Sequence, residues 1–257
     1  MSEQAGAANR PDIPGILEAA QNLADRVRAA ADRSGYQEKG ILNSEILFML
    51  ACVAALKPAR IVESGRARGQ STALLALLFP DREVISFELH KGTPDDEIAT
   101  RRLSEFRNVR LMYGDSLNLL PPIVRAGDVL LVDGPKGSLG IELCLRVCAA
   151  VSPLMVFMHD SHHGQLERQF AETFWPHPVF SDDPRFVTAF EALDRPCWEL
   201  IASSPDRQWQ APYTRDGLRQ LSYGPTMACL PAPKRRDAKW MLRELRRLKK
   251  RYPRWRH

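Results

Sequence analysis

Residues Arg60-Ile61-Val62-Glu63-Ser64-Gly65-Arg66-Ala67-Arg68-Gly69-Gln70-Ser71-Thr72-Ala73-Leu74-Leu75 decide the fold. A short apolar run closes on an acid. Two glycines four positions apart follow, and an apolar helical pattern starts at Ser71. Glycine tolerates the left-handed backbone of a tight turn. The stretch therefore reads as a strand over 60–63, a loop, and a helix over 71–78, the opening of a strand-helix-strand unit.

The alternation continues downstream. Apolar runs at 84–87, 109–113, 128–132 and 154–158 predict four more strands. Helical stretches at 95–106, 116–124, 139–151 and 165–174 separate and follow them. Strands that are short and continuously apolar are those covered on both faces. The expected fold class is α/β: a Rossmann-like, doubly wound, mostly parallel sheet with helices on both faces. Residues 185–190 and 197–202 read as two further strands forming an antiparallel edge pair. Upstream, helices over 16–31 and 43–56 precede the sheet. Asn43 is the expected cap of the second, and neither helix carries evident chemistry. Residues 1–14, small, polar and broken by Pro11 and Pro14, are expected to be disordered. The domain then spans 15–204, a proline-rich loop or lid 205–233, and a basic amphipathic helix 234–257.

A chain of 257 residues with 44% hydrophobic content suits one α/β domain with added segments. It has no apolar run of about 18 residues. Its first residues lack the basic-then-apolar pattern of a secretory signal, so a cytoplasmic location is expected. The five cysteines, Cys52, Cys144, Cys148, Cys197 and Cys229, include no Cys-x-x-Cys pair. They suggest neither a disulfide framework nor a zinc site. The net charge of +5 is unevenly distributed. Lys234 to His257 hold twelve Lys or Arg against two acids, leaving 24 basic and 29 acidic residues elsewhere. A mildly acidic domain argues against a nucleic-acid groove. The tail admits three readings, in this order of preference. It docks on the domain by its Met241, Leu245 and Leu248 stripe. It lies on an anionic membrane surface, with Trp240, Tyr252 and Trp255 among its cations, which would make the protein peripheral at the inner membrane surface. Or it contacts nucleic acid electrostatically. A homo-oligomer is compatible with all three.

In open α/β sheets, ligands sit beyond the carboxyl ends of the strands. Here those ends carry Glu63, Glu88, Asp115, Asp133 and the pair His159-Asp160. One acid at a strand end is commonplace, because acids favour turns and helix starts; five in register point to a site. The Gly65-x-x-x-Gly69 spacing departs from the Gly-x-Gly-x-x-Gly of pyrophosphate-binding loops. Arg66 and Arg68 are expected to crowd a pyrophosphate there, although an arginine can also attract one. Helix amides near Gln70 and Ser71 offer a place for a carboxylate, and Glu88 is placed to accept hydrogen bonds from ribose hydroxyls.

The Glu63-x-Gly65-x-x-x-Gly69 loop, the strand-end Glu88, Tyr113-Gly114-Asp115-Ser116 and the strand-end Asp133 together resemble class I S-adenosylmethionine-dependent methyltransferases over residues 41–203. The string Glu63 to Ser71 is especially similar to the branch containing cephalosporin-hydroxylase-like and macrolide sugar O-methyltransferases. The resemblance implies that Glu63, Gly65, Gly69 and Ser71 surround the methionine part of the cofactor. It implies that Glu88 holds the ribose and that Asp115 and Ser116 lie near the adenine. Asp133-Gly134-Pro135-Lys136 and His159-Asp160-Ser161 also resemble catechol-type O-methyltransferases. On that likeness Asp133 and Asp160 bind magnesium and Lys136 takes the acceptor's proton. Ser161 stands where that family has Asn, which puts the third metal ligand in doubt. His159 then reads as a ligand or a base near neutral pH.

Asp133-Gly134-Pro135-Lys136 is unlike the Asn/Asp-Pro-Pro-aromatic motif of base-amine methyltransferases, which favours an oxygen acceptor on a small molecule or sugar. Two rival functions remain at this point: an NAD-type oxidoreductase on the same fold, and a catalytically silent methyltransferase fold that acts as a binding module.

Overall fold

The computed structural model describes residues 11–37, 40–203 and 226–255. Residues 1–10 and most of the expected 205–233 loop therefore lie outside the described residues, while residues 11–14, expected to be disordered, lead into and begin the first helix. The chain opens with helix α1, Ile13–Ser34. Asp12 caps it, accepting from Gly15 N at 2.8 Å, and Pro14 sits in its first turn. Helix α2, Asn43–Cys52, is buried along its whole length. Its first residue is Asn43 and its cap position is Leu42, one residue earlier than expected. The Asn43 amide instead donates to Leu193 O at 3.0 Å.

Five parallel strands follow in the expected alternation: β1 Arg60–Ser64, β2 Glu83–Glu88, β3 Val109–Tyr113, β4 Asp128–Val132 and β5 Met155–Met158. Helices α3 Gln70–Leu78, α4 Pro94–Leu103, α5 Ser116–Ile123, α6 Ser138–Ala150 and α7 Leu166–Phe174 connect and follow them. The sequence forms α4 through its termini. Thr93 caps it, Pro94 starts it, and Asp95, Asp96 and Glu97 fill its first turn while Arg101 and Arg102 fill its last. That distribution matches the helix dipole.

The antiparallel edge exists but is built from other residues than expected. Strand β6 is Val179–Phe180 and strand β7 is Ala228–Pro231. The full order is β3-β2-β1-β4-β5-β7-β6, with β7 antiparallel to both its neighbours. The segments expected as strands are helices: α8 is Pro184–Phe190 and α9 is Arg195–Ser203. Asp183 caps α8, accepting from Arg185 N at 3.0 Å, and Pro184 begins it. Phe186 and Phe190, four apart, are both buried. Cys197, Trp198 and Ile201 follow the same helical spacing in α9. Strand β7 falls inside the stretch expected to be loop or lid, its four residues hidden among prolines.

Alternate residues of the strands feed two cores. Ile61, Val84, Val129, Leu131 and Phe157 face α1, α2, α3 and α8. Val62, Ile85, Leu130, Val132 and Val156 face α5, α6, α7 and the last helix, α10, Arg235–Arg251. Ala238, Met241, Leu242 and Leu245 of α10 are buried in this second core. Phe170 and Trp255 make an edge contact at 6.1 Å, and Lys249 reaches Glu142 at 2.7 Å. The apolar stripe of the basic tail is thus turned onto the domain itself, and its cations other than Lys249 are exposed. Burying each such side chain contributes roughly 1.5–3 kcal/mol. Among the described residues, no helix is long and apolar enough to cross a membrane.

Candidate active site

The strand order reverses between β1 and β4, which places a crevice at their carboxyl ends. Gly65 (φ +85°) and Gly134 meet at that switch point. A Cβ on Gly65 would stand 2.7 Å from Gly134 N and 2.9 Å from the Asp133 carbonyl carbon. The loop continues through Ala67 (φ +42°) to Gly69 (φ +77°), the cap position of α3.

The acids of the strand ends divide into those beneath the crevice and those on it. Glu63 lies beneath, fully shut from solvent. It accepts from Thr72 Oγ1 and from Ser86 Oγ (2.6 Å), tying β1, β2 and α3 together, and burial raises its pKa. Ser64 and Ser116 share a 2.8 Å hydrogen bond. Glu88, the last residue of β2, accepts from the loop amides Ala67 N (3.1 Å) and Arg66 N (3.3 Å) and from Leu89 N (2.9 Å). A carboxylate offers about four acceptor positions, so the partly exposed Glu88 retains capacity for a ligand hydroxyl. Asp115 is exposed and caps α5, accepting from Leu117 N at 3.0 Å. Ser71 is buried at the start of α3.

The loop arginines neither crowd nor attract a ligand phosphate. Arg66 turns inward, its side chain fully buried. It pairs with Asp96 at 2.7 Å, donates to Ser86 O and Met112 O at 3.2 Å each, and stacks 4.6 Å from the Tyr113 ring centroid. Arg68 donates to Asp95 at 2.9 Å. Both pin the loop to α4. The two acids at the start of that helix were the available sign that the arginines had protein partners.

A cluster of five ionisable groups stands at the ends of β4 and β5. Lys136 Nζ bridges Asp133 and Asp160, at 2.5 Å from Asp160 Oδ2. His159 Nδ1 lies 2.7 Å from Asp133 Oδ1, and its Nε2 lies 3.1 Å from Glu45 Oε2. With a carboxylate at each nitrogen, the His159 imidazole is held protonated, its pKa well above the usual range despite burial. Lys136 and His159 hold the Asp133 carboxyl well below the ordinary range, overcoming its burial. The same carboxylates raise Lys136, again against burial. In this arrangement His159 is a proton donor to carboxylates and not a free base.

Glu45 was not anticipated, and neither was any chemistry in α2. It is 1% exposed and also accepts from Thr226 N (2.9 Å) and Leu42 N (3.1 Å). The signal was an acid leading directly into the apolar run Ile46 to Leu50, where a helix buried on all sides has no solvent for a carboxylate.

Asp133, His159 and Asp160 each offer a donor atom, all within 4.8 Å of one another, and could hold a cation. Glu45 behind Nε2 supplies the outer carboxylate that orients a metal-bound histidine. A divalent cation fits this donor set only where it displaces Lys136 Nζ from between the two carboxylates and a proton from His159. The imidazole departs from the all-oxygen shell that magnesium favours. Ser161 is turned away, donating to Met158 O at 3.0 Å from a fully buried position.

No family model matches the chain, and no curated protein matches it. Solved structures with similar folds include the SAH-bound Podospora anserina methyltransferase PaMTH1. That match has 15% identity over 91% of this chain and 97% of that one, with a TM-score of 0.44. Cofactor-bound Rv0187 from MTB matches at 18% identity over 87% and 91%, with a TM-score of 0.43. TrmN from Thermus thermophilus matches at 17% identity over 51% of this chain and 41% of that one, with a TM-score of 0.36.

Proposed function

We propose that this chain is an S-adenosylmethionine-dependent O-methyltransferase acting on a small-molecule or sugar hydroxyl. The observation that carries this reading is the division of labour at the β1/β4 switch point. On one side, a positive-φ loop is closed onto Glu88, which keeps acceptor capacity for ribose hydroxyls. On the other stand three carboxylates against two cations, a residual negative charge complementary to a sulfonium. Methyl transfer needs in-line positioning and removal of the acceptor proton above all. Glu88 and the loop amides supply the first. Lys136 is the candidate for the second: it accepts a proton at Nζ only when neutral, so its two carboxylate partners must first be drawn off it. Asp133, Asp160 and His159 are the residues that would hold a divalent cation, magnesium or the more nitrogen-tolerant manganese. Such a cation, when bound, supplies the charge that lowers an acceptor hydroxyl's pKa.

The oxidoreductase reading loses the argument from Arg66 and Arg68. It is still disfavoured by the sheet, because the dinucleotide order 3-2-1-4-5-6 is interrupted by an antiparallel β7 between β5 and β6. Docking of the α10 stripe favours the terminal-helix reading of the tail over membrane insertion. Adenosylmethionine and NAD are to be titrated separately against melting temperature. The first should raise it, the second should not, and Glu88→Ala should abolish the shift. A shift with NAD alone, or an undiminished shift in the variant, would overturn the assignment.

A further inference from the structure

Helix α10 carries nine Lys or Arg against two acids. Eight of the nine cations are exposed, and Lys249 alone turns in to Glu142. The two acids are answered within the helix, Asp237 by Arg236 at 3.5 Å and Glu244 by Arg247 at 2.8 Å. Lys239, Arg243, Arg246 and Lys250 meet no acid among the described residues. Their spacing of four, three and four residues sets them in one line along the helix, opposite the buried Ala238, Met241, Leu242 and Leu245. At the rise of an α-helix that line is about 17 Å long. Trp240 borders it, 43% exposed, its ring edge-on to Phe174 of α7 at 5.9 Å. Like charges three and four residues apart destabilise a helix. The docked apolar stripe therefore explains the inner side of α10 and leaves the cationic row on its outer side unexplained by the fold.

We propose that the outer face of α10 docks the protein on an anionic phospholipid bilayer, Lys239, Arg243, Arg246 and Lys250 meeting headgroup phosphates and Trp240 seating among them. The inference is independent of the methyl-transfer reading. A run of roughly four to eight Lys or Arg on an amphipathic helix is attracted to anionic lipid, and an indole suits the boundary between headgroup and acyl chain. The contact is adsorption, because the stripe that would insert is already buried in the domain. Two features favour a bilayer over nucleic acid. A helix that reads a duplex must enter a major groove about 8.5 Å deep, and α10 is sunk into the domain along one side. Outside residues 234–257 the chain has 29 acidic against 24 basic residues. A flat surface touches the cationic ridge alone, whereas a polyanion that follows the protein around meets those acids.

The test is sedimentation of the full chain with two kinds of vesicle, phosphatidylcholine alone and two parts phosphatidylcholine to one part phosphatidylglycerol. The chain should bind the second and not the first, and high salt should release it. Each cation in contact is worth roughly fivefold in affinity. The fourfold variant Lys239→Gln, Arg243→Gln, Arg246→Gln and Lys250→Gln should therefore bind at least a hundredfold more weakly, with its melting temperature and its response to adenosylmethionine unchanged. Arg243→Gln alone, a milder change to the fold, should weaken binding about fivefold, and Trp240→Ala should weaken it severalfold. A random-sequence DNA duplex is the competitor, matched in phosphate concentration to the anionic vesicles, and should displace little of the protein. Equal binding to both vesicles, undiminished binding in the fourfold variant, or a preference for the duplex would overturn the proposal. Vesicle binding that depends on the four cations, in a protein that ignores adenosylmethionine, would sustain this surface and sink the methyl-donor reading instead.

Discussion

Gly65→Ala tests the switch point directly. Two separate penalties follow from the geometry. The first is conformational: at φ +85° a residue with a Cβ sits in the left-handed region, at a cost of about 1–2 kcal/mol. The second is steric. The new Cβ would lie 2.7 Å from Gly134 N and 2.9 Å from the Asp133 carbonyl carbon, and both obstacles are backbone. Relief requires β1 and β4 to part at their ends, and overpacking of this kind costs about 1–3 kcal/mol. The expected total is about 2–5 kcal/mol. Gly92→Ala is the control, because Gly92 has φ +77° but a Cβ there meets nothing within 4 Å. It should show the conformational cost alone. Urea unfolding of both variants measures the difference. Displacement of Asp133 should also weaken adenosylmethionine binding in Gly65→Ala and leave it intact in Gly92→Ala. Equal stability losses in the two variants, within about 0.5 kcal/mol, would refute the close approach of the β1 and β4 ends.

Three further outcomes are expected. Asp194 is buried and its pKa is pushed up to about 7, chiefly by desolvation, although Ser44 N donates to it at 2.8 Å. An acid whose folded pKa is raised destabilises the fold as pH climbs from its unfolded value near 4 through 7, here by up to about 4 kcal/mol. Asp194→Asn should therefore be more stable than the parent at pH 8 and no more stable at pH 4; equal unfolding midpoints at pH 8 would contradict the burial argument. Arg66→Met strands Asp96, 3% exposed, without its guanidinium and should cost about 3–5 kcal/mol. A second change, Asp96→Leu, should cost less on top of it than alone, and strict additivity in chemical denaturation would deny the pairing. Lys136→Met should lower turnover by about 10²–10⁴ if Lys136 removes the acceptor proton. Its adenosylmethionine affinity should stay the same, and undiminished turnover would discharge Lys136 from the role.

The sheet was legible because its signal is local. Each parallel strand is a short, mostly apolar run, and each crossover helix has its own start signal or periodicity. The edge was not. Residues 185–190 are rich in aromatic and β-branched residues (Phe186, Val187, Thr188, Phe190), a strand-like composition that competes with a helix start at Asp183-Pro184, and the cap won. Strand β7 has only four residues, and its partners β5 and β6 lie far away in sequence, so no local pattern announces it. The strand-end acids were legible as a set, yet their roles were not. Period-two alternation cannot tell whether Glu63 faces the crevice or the packing beneath it. Only the hydroxyls of Thr72 and Ser86, brought together by folding, place it underneath.

The same reasoning explains why Glu45 matters more than its position suggests. A carboxylate buried at 1% exposure is tolerated only when its charge is answered. Glu45 is answered by His159 Nε2 and by the amides of Thr226 and Leu42. His159 is answered in turn by Asp133, and Asp133 by Lys136. The chain of charges runs from the interior of α2 to the partly exposed Asp160, so no member can change its proton or its partner alone. A ligand that draws Asp133 or Asp160 away from Lys136 must be cationic or bring a proton, and it acts on His159 and Glu45 through the same contacts. That coupling makes α2, which looked from its sequence like mere packing, the rear wall of the site.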